Sequence, residues 1–371
     1  MADCPPELIP DLISRNLLQS LIVLLESKDR HERQAAMQVR KAILDRCRLD
    51  DGASIPILSA FVRPPDGIVD FDKRSRTRTI EQILSDAAIL EPCKSVALYE
   101  SLLIDLAIKD GKHPDAQRQT LTHHLVAAVR SFSRTQMMNG PTRVFIQNLL
   151  SMFVRFAYFD LQSLFTGDRS TPMSENSHLT FRARISSCLS HISSQCDASG
   201  DFVFAVIFNI RRYQESHETS KILLSADSRL QTMLNESFST LCNLRAQLKS
   251  SPDCASLLSP IGLLLSLSIL QVYNEDLDSV ALLEDLVQII SRQQPKDILQ
   301  PDGATMIVEI LLSLLSKPSQ LFRRIVCQVF RSLTGSVDIS ALQPIYKVCS
   351  AAPFFVLNAA NGKRYLPRTR I

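Results

Sequence analysis

An all-α fold built of stacked helical hairpins is what this sequence predicts, on three observations. Apolar residues recur at three- and four-residue spacing from end to end, and no alternating series marks a strand. The 371 residues hold only 10 Gly and no Trp, while Leu and Ser abound, a composition that suits helices better than turn-rich sheets. The third is an internal echo. Leu21 to Ile43 (LIVLLESKDRHERQAAMQVRKAI) lies over Leu311 to Leu333 (LLSLLSKPSQLFRRIVCQVFRSL) without gaps, at an offset of 290. Leu24 then pairs with Leu314, Leu25 with Leu315, Arg33 with Arg323, Gln38 with Gln328 and Val39 with Val329. In both copies an apolar helix ends in a tight polar joint and a second helix carries a basic residue one turn in. That is the two-helix unit of HEAT or armadillo solenoids, in which a hairpin hides its apolar face only by stacking on its neighbours. Convergence of two unrelated amphipathic hairpins would give the same echo. The pairing predicts that Leu24, Leu25, Leu314, Leu315, Val39 and Val329 are all buried.

The periodicity predicts helices over Leu17 to Ser27, Glu32 to Cys47, Ile80 to Leu90, Ser95 to Ile108, Ala116 to Ser131, Thr142 to Phe165 and Phe181 to Ser194. It continues over Phe202 to Arg212, Ser228 to Leu248, Leu257 to Tyr273, Ser279 to Arg292, Thr305 to Ser316, Gln320 to Leu333 and Ile339 to Cys349. Flexible joints are expected near 49–72, 110–114, 166–178 and 293–303, where polar, Gly and Pro residues gather. The solenoid is expected to occupy 1–357, with 358–371 an unstructured basic tail that holds Lys363, Arg364, Arg368 and Arg370.

One segment mimics a membrane span, since Cys254 to Asn274 has 21 residues without a charge. Pro260, Gly262, four serines and Gln271 dilute it, and no flanking Lys/Arg asymmetry surrounds it. A helix buried on nearly all sides is the expectation, with no membrane partner. The start, MADCPPELIPDL, lacks a basic region and a signal-length apolar core, so secretion is not expected. Nine Cys, odd in number and scattered through apolar runs, read as reduced, buried thiols of an intracellular protein.

Motifs for catalysis, cofactors or metals are not found. There is no CxxC pair, and Gly111-Lys112 lacks the upstream glycine of a phosphate loop. His123 and His124 are adjacent and diverge by about 100° on a helix, so they do not chelate one ion, and one of them reads as a core-edge histidine. Glu275, Asp276 and Asp278 resemble half of a magnesium site, but a polar cap opening the Ser279 helix accounts for them.

Basic residues are the better lead. A formal net charge of +3, from 41 Lys and Arg against 38 Asp and Glu, is too small for wholesale polyanion binding, so any nucleic-acid contact must come from a local patch. In FDKRSRTRTIEQIL, Phe71 to Leu84, four cations (Lys73, Arg74, Arg76, Arg78) precede a helix start marked by a capping-box pattern, Thr79 with Gln82. Cations at a helix N-terminus oppose its dipole unless an anion joins them. Either a solvated joint whose internal ion pairs draw on Asp70, Asp72 and Glu81 or a phosphate contact satisfies this. Arg323 and Arg324, early in another helix, are the second candidate pair, and Arg211 with Arg212 end a third.

The stretch DFDKRSRTRTIEQIL resembles an element of the Myb-binding protein 1A and DNA polymerase V (polymerase phi) family, a Phe-Asp-Lys followed by threonines alternating with basic residues. Further similarities follow in the family's order: Leu17 to Leu44, Gln117 to Ser131, FAYFDL at Phe156 to Leu161, Ile269 to Leu286, and Met306 to Phe330. The resemblance implies an armadillo-type protein of the nucleus and nucleolus. It would act in ribosomal RNA gene transcription and ribosome biogenesis, with ribosomal DNA or RNA and nucleolar or transcription-factor proteins as partners. Only the middle portion of the family's length is covered. The alternatives are a DNA-directed DNA polymerase, as the family name suggests, and a protein-only adaptor whose groove takes amphipathic helices.

Overall fold

The computed structural model describes residues 5–50, 52–106, 114–138, 140–161, 173–195, 199–216, 221–250, 255–276, 278–292, 301–317, 319–334 and 342–346. The expected tail, the joint at 110–113 and most of the joints at 166–178 and 293–303 lie outside these residues, as does most of the helix expected over Ile339 to Cys349. The described ends of the last two joints, 175–178 and 301–303, are helical rather than flexible.

After a short 3-10 turn, the helices in chain order are α1 (Ile9–Leu12), α2 (Arg15–Glu26), α3 (Arg30–Leu49), α4 (Ser54–Val62), α5 (Phe71–Ser75), α6 (Thr79–Leu90) and α7 (Pro92–Ile104). Then come α8 (Asp115–Ser131), α9 (Arg134–Met138), α10 (Gly140–Tyr158), α11 (Glu175–Gln195) and α12 (Ser199–Glu215). The last five are α13 (Ser228–Ser250), α14 (Ala255–Tyr273), α15 (Asp278–Arg292), α16 (Pro301–Ser316) and α17 (Gln320–Leu333). Two dipeptides, β1 (Phe159–Asp160) and β2 (Lys221–Ile222), form an antiparallel bridge.

Two layers of helices run through the molecule. In the first, α3, α6, α8 and α11 pack in succession; in the second, α4, α7, α10, α12 and α14 do the same. Hydrogen bonds fix their direction. Arg40 reaches Thr79 (2.8 Å) and Arg48 reaches Asp86 (3.0 Å), Ser85 meets Ser131 (2.8 Å), and Thr122 and Arg130 meet Arg184 (3.3 Å) and Ser187 (2.8 Å). In the second layer Ser54 and Arg63 bond Glu91 (3.4 Å) and Ser101 (3.2 Å), and Arg143 and Ser151 bond Asp201 (3.3 Å) and Tyr213 (2.8 Å). Where two bonds tie one pair, residue numbers rise together, so neighbours within a layer point the same way. Each hairpin thus offers one helix to each layer, the arrangement of an α-solenoid.

Aromatic packing ties the layers at the middle, where Phe153 and Phe156 of α10 meet Phe181 of α11 with ring centroids 5.6 and 5.0 Å apart. After α12 the regular order breaks. The long α13 packs on α14 and α15, and the next place in the first layer, beside α11, is taken by α17.

The uncharged segment is α14, which packs against α12, α13, α15 and α17 and is buried on nearly all sides. Its serines are satisfied within the helix, Ser266 donating to the Gly262 carbonyl (2.7 Å) and Ser268 to that of Leu264 (3.1 Å). Among the described residues no single helix is long and apolar enough to cross a membrane.

The stretch expected as a joint over 49–72 instead contains α4, whose Ile57, Leu58, Phe61 and Val62 are fully buried, and the start of α5. α4 shows no helical stripe because it is apolar on every side, which leaves no polar face to reveal a period. The helix expected over Thr142 to Phe165 ends at Tyr158, where the chain turns into β1.

The internal echo holds as architecture but not in its register. Leu25, Leu314 and Val329 are buried and Leu24 is half-buried, whereas Val39 (42%) and Leu315 (39%) are exposed. The burial stripes superpose when the offset is shortened by one residue. Leu18, Leu21, Ile22 and Leu25 of α2 then overlie Ile307, Ile310, Leu311 and Leu314 of α16, and all eight are buried. A run of consecutive leucines offers two registers to identity matching, and only burial separates them. Leu314→Ala is therefore expected to cost about 2–5 kcal/mol as a core cavity, and Leu315→Ala less than about 1 kcal/mol, in urea unfolding. Equal losses would mean that neither register is right.

Candidate nucleic-acid interface

The Phe71 to Leu84 stretch is not a loop entering a helix but two helices, α5 and α6, joined by a tight turn. Arg76 caps α5 in the left-handed region, at φ 52°, and the Thr77 N–H donates to the Asp72 carbonyl (3.1 Å). That reversal swings Asp72 under the start of α6. Its carboxylate accepts the N–H groups of Thr79 (2.6 Å), Ile80 (3.1 Å) and Glu81 (3.1 Å).

The expected capping box is thereby corrected. Thr79 is the first residue of α6 and makes no cap; its hydroxyl accepts from Arg40 Nε (2.8 Å), while Gln82 accepts from the same guanidinium (2.5 Å). Hydroxyls of Ser75, Thr77 and Thr79 link in a chain at 2.8 Å steps. The anion that this helix start requires is supplied by the chain itself. Burial pushes the Asp72 carboxyl up to about 6, against the three N–H bonds that pull it down.

Lys73, Arg74, Arg76 and Arg78 are all exposed. Arg76 lies 3.5 Å from Glu26 and Arg78 lies 3.8 Å from Glu81, both with more than four fifths of the side chain in solvent. Surface pairs of this length hold little energy. Lys73 and Arg74 have no ion pair among the described residues. Lys28 and Arg33 join Arg76 around a cleft of about 370 Å³ that also touches Glu26 and Ser75.

The second candidate pair stands elsewhere. Arg323 and Arg324 are exposed in the first turn of α17, which packs on α11, α14 and α16, whereas α5 packs on α2 and α6. Arg324 donates to the Ser190 carbonyl of α11. The two groups of cations therefore belong to separate parts of the molecule.

Two of the three acidic residues are committed to structural bonds, while Asp278 is exposed at the start of α15. Asp276 accepts from Lys317 and from Ser279 Oγ (2.9 Å), and Glu275 pairs with Arg182 (3.1 Å). His124 is buried against Tyr99, whose hydroxyl lies 3.3 Å from Nδ1, and burial followed by the charge of His123 lowers it to about 4. Cys47 and Cys188 are pushed up to about 12 by burial, which keeps them as inert thiols, whereas Cys93 and Cys327 are exposed, so the expected burial of the thiols holds only in part.

Sequence reasoning offered Asp72 only as one of three neutralising anions and missed it as the cap, and it missed Arg40, because the cap acts across seven residues and a left-handed turn rather than at capping-box spacing. Asp72→Ala should destabilise the fold by about 1–3 kcal/mol in chemical unfolding, by leaving three helix N–H groups without an acceptor. Since the folded carboxyl lies above its unfolded value, its contribution is fully present below about pH 4 and is lost as pH rises through about 6. Asp72→Asn should abolish that part of the pH dependence, and a pH profile identical to the wild type would reject the assignment.

Two curated relatives match nearly the whole chain. It is 26% identical to the rDNA transcriptional regulator pol5 of Schizosaccharomyces pombe over 360 residues, 92% of this chain and 37% of that protein. It is 21% identical to the rDNA transcriptional regulator POL5 of Saccharomyces cerevisiae over 358 residues, 94% of this chain and 32% of that one. The chain thus spans about a third of the length of the curated relatives it matches. No solved structure matches it. The family profile described as DNA polymerase phi covers residues 1–352, and with that collinear frame the chain belongs to the DNA polymerase phi family.

Proposed function

We propose that this chain is the helical-repeat part of a nuclear regulator of ribosomal DNA transcription, a nucleolar scaffold in ribosome production that touches ribosomal DNA or RNA through exposed cations. The observation that carries the reading is the collinear match to two rDNA transcriptional regulators over more than nine tenths of this chain. The geometry supports a binding role. The carboxylate beside the Lys73 to Arg78 run is withdrawn into the α6 cap, which leaves those cations facing solvent. Contacts of this kind position a protein on phosphates without reading bases.

Depletion of the full-length protein should lower or raise nascent ribosomal RNA synthesis in nuclear run-on, with messenger RNA synthesis unchanged. No change in either would reject the regulatory role. For the interface, Lys73, Arg74, Arg76 and Arg78 changed together to Gln should leave the melting temperature within a few degrees of wild type, each exposed change shifting stability by less than about 0.5 kcal/mol. Duplex DNA affinity should fall, and the slope of log affinity against log salt should become shallower by up to about one unit per lost phosphate contact. Unchanged affinity and slope would make the stretch a solvated turn.

The family description names a polymerase, so catalysis has its own test. Asp276 is bonded to Lys317, and a magnesium ion there would have to displace that ammonium. Purified protein is expected to give no template-directed primer extension. Magnesium-dependent extension that disappears on changing Asp276 and Asp278 to Ala would overturn the scaffold reading.

A further inference from the structure

A second cluster of cations, none of it acid-balanced, sits where three helices meet. The C-terminal end of α8 brings Arg130, the last turns of α11 bring Ser187, Ser190 and His191, and the first turn of α17 brings Gln320 and Arg324. They surround a cleft of about 450 Å³ that, among the described residues, no acidic side chain lines. Arg130 and Arg324 carry no ion pair among the described residues, and each is anchored by one hydrogen bond to α11, Arg130 to Ser187 Oγ (2.8 Å) and Arg324 to the Ser190 carbonyl. The anchors hold both guanidinium groups toward the cleft with donors to spare.

Three further observations call for an anion. Ser319, the N-cap residue of α17, also lines the cleft and makes no side-chain cap bond, so the first N–H groups of a 14-residue helix lack a side-chain acceptor. Ser190 is 7% exposed, and its Oγ has no hydrogen-bond partner among the described residues; the same holds for His191 Nε2. Burial and then the charges of Arg130 and Arg324 lower His191, so both guanidinium groups act on one imidazole. Like charges gathered beside a positive helix end repel one another unless an anion shares the space.

We infer that this cleft seats one phosphodiester of a nucleic-acid backbone, held by Arg130, Arg324 and the opening N–H groups of α17. This rests on the reading that the chain touches nucleic acid. The donor set of guanidinium, serine hydroxyl and helix N–H is the one phosphodiesters take, and among the described residues no Phe, Tyr or Trp lines the cleft. Arg323, exposed one residue before Arg324 and without an ion pair among the described residues, offers a contact for a neighbouring phosphate. A continuous backbone uses that second contact, whereas an isolated phosphorylated side chain does not.

The test measures binding of the full chain to labelled duplex DNA, duplex RNA of the same sequence, and a phosphoserine peptide, across a salt series. Arg130→Gln with Arg324→Gln should weaken duplex binding about tenfold and make the salt slope shallower by about one to two units. Lys94→Gln with Arg229→Gln, which removes two exposed cations elsewhere, should do neither. Gln320→Glu guards against misfolding, because a carboxylate in the first helical turn favours the helix while it repels a phosphate. It should keep the melting temperature and still weaken binding. The DNA and RNA arms assign the source of the backbone. Loss no greater than in the control pair, or cleft-dependent capture of the phosphopeptide but not of either duplex, would overturn the inference. Wild-type protein that binds neither duplex would reject the nucleic-acid reading itself, while wild-type binding that survives all cleft variants would reject only this site.

Discussion

Every helix of the two layers depends on a neighbour that points the same way. A single hairpin here exposes an apolar stripe on each side, and only the next hairpin covers it, so stability is close to a sum of contacts between adjacent units. The polar bonds that cross each step follow the same rule. Arg40 to Thr79, Ser85 to Ser131 and Arg130 to Ser187 are repeated solutions to one problem, which is to fix the stagger between parallel helices whose apolar faces alone would let them slide. α14 is the strictest case, because four helices cover it and leave little but Ser259 to solvent among its described side chains.

The α5–α6 corner shows how local electrostatics is arranged around that framework. A helix start buried against α3 and α8 needs acceptors for its N–H groups, and Asp72 provides them from the preceding helix. The left-handed Arg76 makes the geometry possible. Once Asp72 is committed inward, the neighbouring cations are left with only the loose surface pairs to Glu26 and Glu81. A structural requirement thus creates an exposed basic surface as its by-product, and binding can draw on it without any change in the fold.

What was legible in the sequence follows from contrast between faces. Amphipathic helices such as α2 and α17 announce themselves by period, and their boundaries fall close to those expected, whereas α11 starts at Glu175, six residues before the expected Phe181. α4 did not, because burial on all sides erases the contrast. The echo between α2–α3 and α16–α17 was visible by identity, yet its register was off by one, since leucine pairs such as Leu24-Leu25 match in either frame. Lys73 to Arg78 could be read as a charged run. Arg130 and His191 could not, because they lie some sixty residues apart in the chain and nearer to each other only through the stacking of α8 on α11.

The place of α17 in the first layer bears on how the protein is made. A plain solenoid covers each unit as soon as the next emerges from the ribosome, which keeps contacts local and folding fast. Here the flank of α11 waits for a helix far downstream. At about 5–20 residues per second, the 134 positions between Ser190 and Arg324 take roughly 7–27 seconds to be synthesised. Throughout that interval a nascent chain carries a flank of α11 that its final neighbour does not yet cover, which is where a chaperone would be needed.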